Sequence, residues 1–170
     1  MESLTAHPRE IAVAVGAVVM LALLGGFTTE VGAWYESLRF PALRPPNWLF
    51  APAWTLIFAL TATSGVLSWI DAPDATTHGV LIGLFALNWI LNAAWSPLFF
   101  KLKRPDWAFA ELIPFWLSIA ALILYIQPFS PRAALCLAPY LAWVTFAGWL
   151  NWRIVQLNRP FKRRVVKGAH

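Results

Sequence analysis

Several polar and aromatic residues recur at helical spacing inside long apolar stretches. Asn88, Asn92, Trp95 and Phe99 fall at i, i+4, i+7 and i+11 and share one helical face. Two amides and two aromatic rings on one stripe suit a ligand with a ring body and polar edges. The same spacing serves equally for interhelical hydrogen bonds that fasten a bundle. Tyr140, Trp143, Ala147 and Asn151 form a second such face, with Ala147 small enough to admit a flat ligand or a neighbouring helix. Trp54, Phe58, Thr61 and Gly65 form a third. If the three faces converge, they line a small-molecule pocket of aromatic rings with sparse hydrogen-bonding groups. A well-packed aromatic core is the alternative. Glu111 stands within reach of Lys103 or Arg104, in sequence terms, and reads as a functional acid or as an acid favoured near a helix start.

Other chemistries find no residues to carry them. There is no Gly-rich phosphate loop, no His-x-x-x-His pair and no Ser–His–Asp set. His7, His78 and His170 are scattered, and Cys136 is the one cysteine, so neither a metal site nor an internal disulfide is expected.

These faces need long helices to carry them. The 170 residues are 59% hydrophobic and 12% charged, with mean hydropathy +0.62. A soluble domain carries about 25% charged residues, and a chain this short cannot hide so much apolar surface in one core. That excludes a soluble globular domain, a disordered tail and a collagen-like rod. Charge-free runs of helical length predict one all-α domain over 1–170, with five transmembrane spans near 10–29, 48–70, 78–100, 107–126 and 132–156. The runs are too continuous for barrel strands. The first span is too long for a signal-peptide core and lacks a cleavage site, so it is expected as a retained helix. Pro97, Pro114 and Pro139 are expected to interrupt or kink their helices by freeing the carbonyls of Ala93, Ala110 and Leu135.

Five spans place the termini on opposite sides. Arg9 and Arg132 fall on one side, and the other eleven Lys/Arg on the other. The positive-inside rule then puts the C-terminus and the 30–47 loop in the cytoplasm. The basic tail within 157–170 reads as a topology anchor on anionic lipid rather than a nucleic-acid arm. The eleven tryptophans exceed what interfacial belts require. Gly79 and Gly83 make one GxxxG, a candidate helix-packing face.

Residues 34–54 read WYESLRFPALRPPNWLFAPAW, residues 92–100 NAAWSPLFF and residues 139–151 PYLAWVTFAGWLN. In order and spacing these resemble three signatures of the translocator protein family, also called tryptophan-rich sensory proteins or TspO. The resemblance implies a compact five-helix bundle, often dimeric, with a pocket under a lid made by the 30–47 loop. It implies binding of tetrapyrroles such as protoporphyrin and haem, and of isoquinoline-carboxamide ligands, with the tetrapyrrole as ligand and no cofactor required.

Carried over by motif, Trp34, Tyr35, Leu38, Pro41, Pro45 and Pro46 belong to the lid. Trp48, Phe50, Trp54, Asn92, Trp95, Tyr140, Trp143, Ala147 and Asn151 belong to the pocket, and Asn88, also expected to bind ligand, occupies a place where a polar amide is common in the family. Arg39 or Arg44 offers a partner for a propionate. One departure concerns sterols. The cholesterol motif asks for Lys or Arg within five residues after its tyrosine, whereas Tyr140 is followed only by Arg153, which speaks against tight sterol binding. A membrane receptor for tetrapyrroles is the leading reading. The alternatives are a light- or oxygen-dependent tetrapyrrole-degrading enzyme working through Trp54 and Trp143, and a porphyrin transporter.

Overall fold

The computed structural model describes residues 7–161. They form an all-helical bundle: α1 (Pro8–Thr28), a one-turn α2 (Ala33–Glu36), α3 (Phe50–Asp71), α4 (Ala75–Ser96), α5 (Pro105–Ile126), α6 (Pro131–Cys136) and α7 (Ala138–Asn158). A 3₁₀ turn, Asn47–Leu49, leads into α3, and a π turn, Pro97–Lys101, extends α4. Counting those extensions and joining α6 to α7, five spans are long and apolar enough to cross a membrane.

The surface of the bundle is apolar. Val13, Phe27, Leu56, Ile82, Ile113 and Leu124 are each more than half exposed. In water such a shell costs heavily; against lipid tails it costs little, and helix association then depends on close packing and hydrogen bonds. The interior is built around α5. Ala108, Leu112, Phe115, Ile119, Leu122 and Ile126 are all buried, at spacings that hold one face of the helix against its neighbours. That face packs between α4 and α7. By contrast α1 buries only Leu21 and lies against α3 and α4 at the periphery.

Proline and capping residues set the element ends. Pro8, Pro105 and Pro131 occupy the first helical position of α1, α5 and α6, where their missing N–H is not needed. Asp74 caps α4, its Oδ1 accepting from the Thr77 N–H at 2.7 Å and the Thr77 hydroxyl at 3.0 Å. Pro97 ends regular α4, and the Leu102 N–H bonds five residues back to the Pro97 carbonyl at 2.9 Å. Lys103 turns the chain at φ 55°, a conformation uncommon outside glycine.

The last span departs from a single helix beginning at 132. It breaks at Leu137, between α6 and α7, because Pro139 has no N–H to offer the Leu135 carbonyl. The 30–47 loop is also more ordered than a plain connection: its α2 turn drives Tyr35 into the interior.

The candidate ligand cavity beneath the first loop

The 30–47 loop folds over one end of the bundle and is fastened at three places. At its start, the Thr29 and Ser96 hydroxyls are 2.9 Å apart, and Lys101 Nζ lies 3.2 Å from Glu30 Oε2. In its middle, the side chain of Asn158, the last residue of α7, grips the backbone of Arg39. The Arg39 N–H donates to Asn158 Oδ1 and Asn158 Nδ2 donates to the Arg39 carbonyl, both at 2.9 Å. At its end, the Arg44 guanidinium lies 3.7 Å over the Phe40 ring and donates to Asn47 Oδ1 at 2.7 Å and the Tyr35 hydroxyl at 3.3 Å. Arg44 is thereby engaged inside the loop rather than held free for an anionic ligand.

Beneath this lid lies a cavity of about 230 Å³. Among the expected residues, Tyr35, Phe50, Trp54, Asn92, Trp95, Trp143, Ala147 and Asn151 line it together. Rings pair along this wall: Trp95 stacks on Phe99 at 5.1 Å and Phe50 meets Trp143 edge-on at 5.6 Å, while Trp54 leans at 5.3 Å on Phe58, which lies outside the wall. Polar capacity in this wall is left unused by the protein. The indole N–H groups of Trp95 and Trp143 and the Oδ1 of Asn151 are buried with no hydrogen-bond partner. Asn151 is held in place by its other end, Nδ2 donating to the Pro105 carbonyl at 2.8 Å. An unpaired buried polar group costs about 1–3 kcal/mol. Three polar atoms of residues that line the site are thus left unpaired.

The remaining expected residues lie elsewhere. Trp34 and Leu38 pack on the hydrophobic cluster of Tyr35, Phe99, Phe100, Leu150 and Ile154, outside the cavity wall. Pro41, Pro45 and Pro46 shape the lid without lining the cavity, and Trp48 points outward, 71% exposed. Asn88 and Tyr140 are buried just beyond the wall. They belong to a run of donors: Asn92 Nδ2 to the Tyr140 hydroxyl at 2.6 Å, that hydroxyl to Asn88 Oδ1 at 3.2 Å, Asn88 Nδ2 to Ser118 Oγ at 2.8 Å, and Ser118 Oγ to the Phe115 carbonyl at 2.7 Å. Both amides thus do fasten helices, while Asn92 also faces the cavity.

Glu111 has a different setting from the one its sequence neighbours suggest. Arg104 turns to Asp106 instead, Nε to Oδ1 at 2.8 Å, and this bond raises the already high arginine pKa further. Both Glu111 carboxyl oxygens are buried with no hydrogen-bond partner.

Sequence reasoning did not reach Thr29, Val31, Asn47, Phe100, Leu112, Phe115, Val144, Leu150 and Ile154 as lining residues. Val144, Ala147, Asn151 and Ile154 follow one another at three- and four-residue steps. That periodicity was the available signal for the α7 contribution.

Residues 12–157 match the sequence model of the TspO/MBR family. The chain belongs to this family. It is 36% identical to the tryptophan-rich protein TspO of Chlorobaculum tepidum over 152 residues, covering 87% of this chain and 95% of the relative. It is 37% identical to the translocator protein of Bos taurus over 147 residues, covering 82% and 87%. It is 32% identical to the tryptophan-rich sensory protein of Cereibacter sphaeroides over 132 residues, covering 76% and 81%. The matches thus extend over most of the chain, taking in the lid, the cavity wall and all five spans of this TspO/MBR protein.

Proposed function

We propose that this protein is an integral-membrane receptor for tetrapyrroles, protoporphyrin and haem among them, and for isoquinoline-carboxamide-type ligands, with a role in porphyrin handling or stress signalling. The observation that carries the reading is the aromatic wall of Trp54, Trp95 and Trp143 with its two unpaired indole N–H groups and the unpaired Asn151 Oδ1. Flat aromatic ligands stack on indoles, and a carbonyl or carboxylate edge satisfies the donors. The tetrapyrrole enters as a ligand, not as a cofactor. Closed, the cavity of about 230 Å³ is below the usual range of about 300–1,000 Å³ for small-molecule sites. A macrocycle therefore binds with the lid displaced, and a bicyclic carboxamide needs less displacement.

Titration of the purified protein with protoporphyrin and with an isoquinoline carboxamide, followed by tryptophan quenching, tests this. Saturable binding of both, with mutual competition, is expected; a lack of saturation by either sinks the proposal.

A second reading is favoured by one feature. Trp54 and Trp143, both readily oxidised indoles, line the same cavity. A porphyrin held there would lie beside two electron donors, so light-dependent degradation is the enzymatic alternative.

The Lys/Arg asymmetry supports placing the lid side in the cytoplasm. Its contributors Lys162, Arg163, Arg164 and Lys167 lie outside the described residues. A C-terminal reporter active only outside the cytoplasm would reverse that orientation. The Gly79 and Gly83 face, where an added Cβ would meet nothing within 4 Å, supports homodimer packing through α4.

A further inference from the structure

A second cavity lies between α1, α3 and α4, towards the end of the bundle opposite the lid. At about 740 Å³ it is some threefold larger than the cavity under the lid. Its walls are apolar almost throughout. Val13, Met20, Ile82 and Ile90 line it and are each more than half exposed, so the cleft opens sideways onto the surface that faces lipid. Its inner end is closed by the buried Asn88 and Tyr140.

Length and charge say what fits. Along α1 the cleft runs from Arg9 to Leu21, about 18 Å at 1.5 Å per residue. One leaflet of a bilayer contributes about 15 Å of hydrocarbon. The cleft is thus about as long as one leaflet is deep. Its charged lining residues are Arg9 and Glu10, at the outer end with Trp69. Glu10 lies 3.9 Å from His7 Nδ1, a pair that is ionic only when the imidazole is protonated, and no acid among the described residues forms a salt bridge with Arg9. An apolar slot of one-leaflet depth, with at its mouth an arginine that forms no salt bridge among the described residues, matches an acyl chain beneath an anionic headgroup.

We propose that this cleft holds one acyl chain of an anionic phospholipid from the leaflet opposite the lid, its phosphate at Arg9. The chain restores the dispersion contacts that an open apolar cleft forgoes, and the phosphate gives the guanidinium a charge-assisted partner. The site is distinct from the lid cavity and does not depend on the ligand assigned there.

Native mass spectrometry in mild detergent tests it, with phosphatidylglycerol and phosphatidylcholine of identical chains added in turn. The protein is expected to retain a phosphatidylglycerol several-fold more readily than a phosphatidylcholine. Ala86→Phe and Gly65→Leu both fill the cleft, and each is expected to abolish that adduct. A Cβ at Gly65 meets only the Phe85 ring edge, at 4.0 Å, and helical circular dichroism checks that the variant folds. Arg9→Gln is expected to keep a lipid but lose the preference for phosphatidylglycerol. Four results would overturn the proposal. They are equal retention of the two lipids by the unmodified protein, an unchanged adduct in the filled variants, retention of free oleate with no phospholipid, and a dimer that excludes lipid.

Discussion

The side-chain amide of Asn92 donates to the Tyr140 hydroxyl at 2.6 Å, and this bond stands between the two cavities of the bundle. Asn92 lines both, and Tyr140 lines the lateral cleft. Beside it, Trp54 lines the lid cavity while Phe58, whose ring lies tilted against it, lines the cleft. The partition is one side chain thick, and its polar part is tied through Asn88 and Ser118 into α5.

Removing the hydroxyl should therefore loosen α7 from α4, since both of its partners stand on α4. Tyr140→Phe leaves Asn92 Nδ2 and Asn88 Oδ1 without the partner they share. Interhelical hydrogen bonds in membrane proteins average about 0.6 kcal/mol, and a buried group left unsatisfied costs about 1–3 kcal/mol. Tyr140→Phe should destabilise the protein by about 1–3 kcal/mol, read as a lower midpoint for unfolding in mixed micelles. An unchanged midpoint would show that water or a rotated amide replaces the hydroxyl.

The cavity wall makes a prediction about position rather than residue type. Trp143 lines the lid cavity with an unpaired N–H, whereas Trp69 sits near the end of α3 with its ring 4.1 Å from that of His78. Trp143→Ala should weaken protoporphyrin binding by about 1 kcal/mol or more, the scale of one lost aromatic contact. Trp69→Ala should leave it nearly unchanged. Equal affinities in a fluorescence titration would remove Trp143 from the site.

Much of this was legible before the structure. The all-α membrane fold follows from gaps between charges, because a bilayer sets the length of an uncharged helix. Helical spacing fixes which side chains travel together, yet the three faces are divided between two cavities: Asn92, Trp95, Phe99, Trp143, Ala147, Asn151 and Trp54 line the one under the lid, whereas Phe58, Thr61, Gly65, Asn88 and Tyr140 line the lateral cleft. What was not legible follows from the same geometry. A face of α7 is wide enough to meet two cavities, so Tyr140 and Trp143, three residues apart, end on opposite sides of one partition. Leu112, Phe115, Leu150 and Ile154 carry no chemical mark separating a cavity wall from a core. Trp48 sits in the middle of a signature stretch yet points outward, because the 3₁₀ turn before α3 rotates it away from its neighbour Phe50. The Asn158 grip on Arg39 joins residues 119 apart, and nothing local announces it.

That grip predicts a kinetic effect. Asn158 Nδ2 is itself steadied by the Ile154 carbonyl at 2.8 Å, so the amide is fixed to α7 while it holds the lid. Asn158→Ala removes two lid bonds without touching the cavity wall. Ligand association and dissociation should both accelerate, several-fold, with the equilibrium affinity changed less than either rate. Stopped-flow quenching checks this; a change in the dissociation rate alone would make Asn158 a stabiliser of the bound state rather than a fastener of the lid.

Outside the spans, Asp74 gives a pH signature. The Thr77 N–H, then the Thr77 hydroxyl, hold its carboxyl below the ordinary value of 3.8. A lowered folded-state pKa means that the cap stabilises fully above that ordinary value and fades as pH falls through the folded one. Asp74→Ala should lower the thermal midpoint by a constant amount from neutral pH down to about pH 4, and by progressively less below that. A difference that stays constant into strong acid would mean the carboxylate is not the cap.

The receptor and enzyme readings part at the indoles of Trp54 and Trp143. Both line the lid cavity, and no thiol competes with them there, since Cys136 belongs to α6 and is absent from the cavity wall. Phenylalanine at either position keeps a stacking ring and removes the easily oxidised indole. If the protein degrades porphyrin in light through these residues, Trp54→Phe and Trp143→Phe should retain protoporphyrin affinity within a few-fold. Pigment loss under fixed illumination should then fall by about tenfold or more, equivalent to about 1.4 kcal/mol on the barrier. Affinity is read by fluorescence quenching and pigment loss by absorbance on the same samples, with a dark control. If both variants bleach bound porphyrin as fast as the unmodified protein, the tryptophans are walls of a binding site. Any bleaching then belongs to the pigment's own photochemistry, and the receptor reading stands by itself.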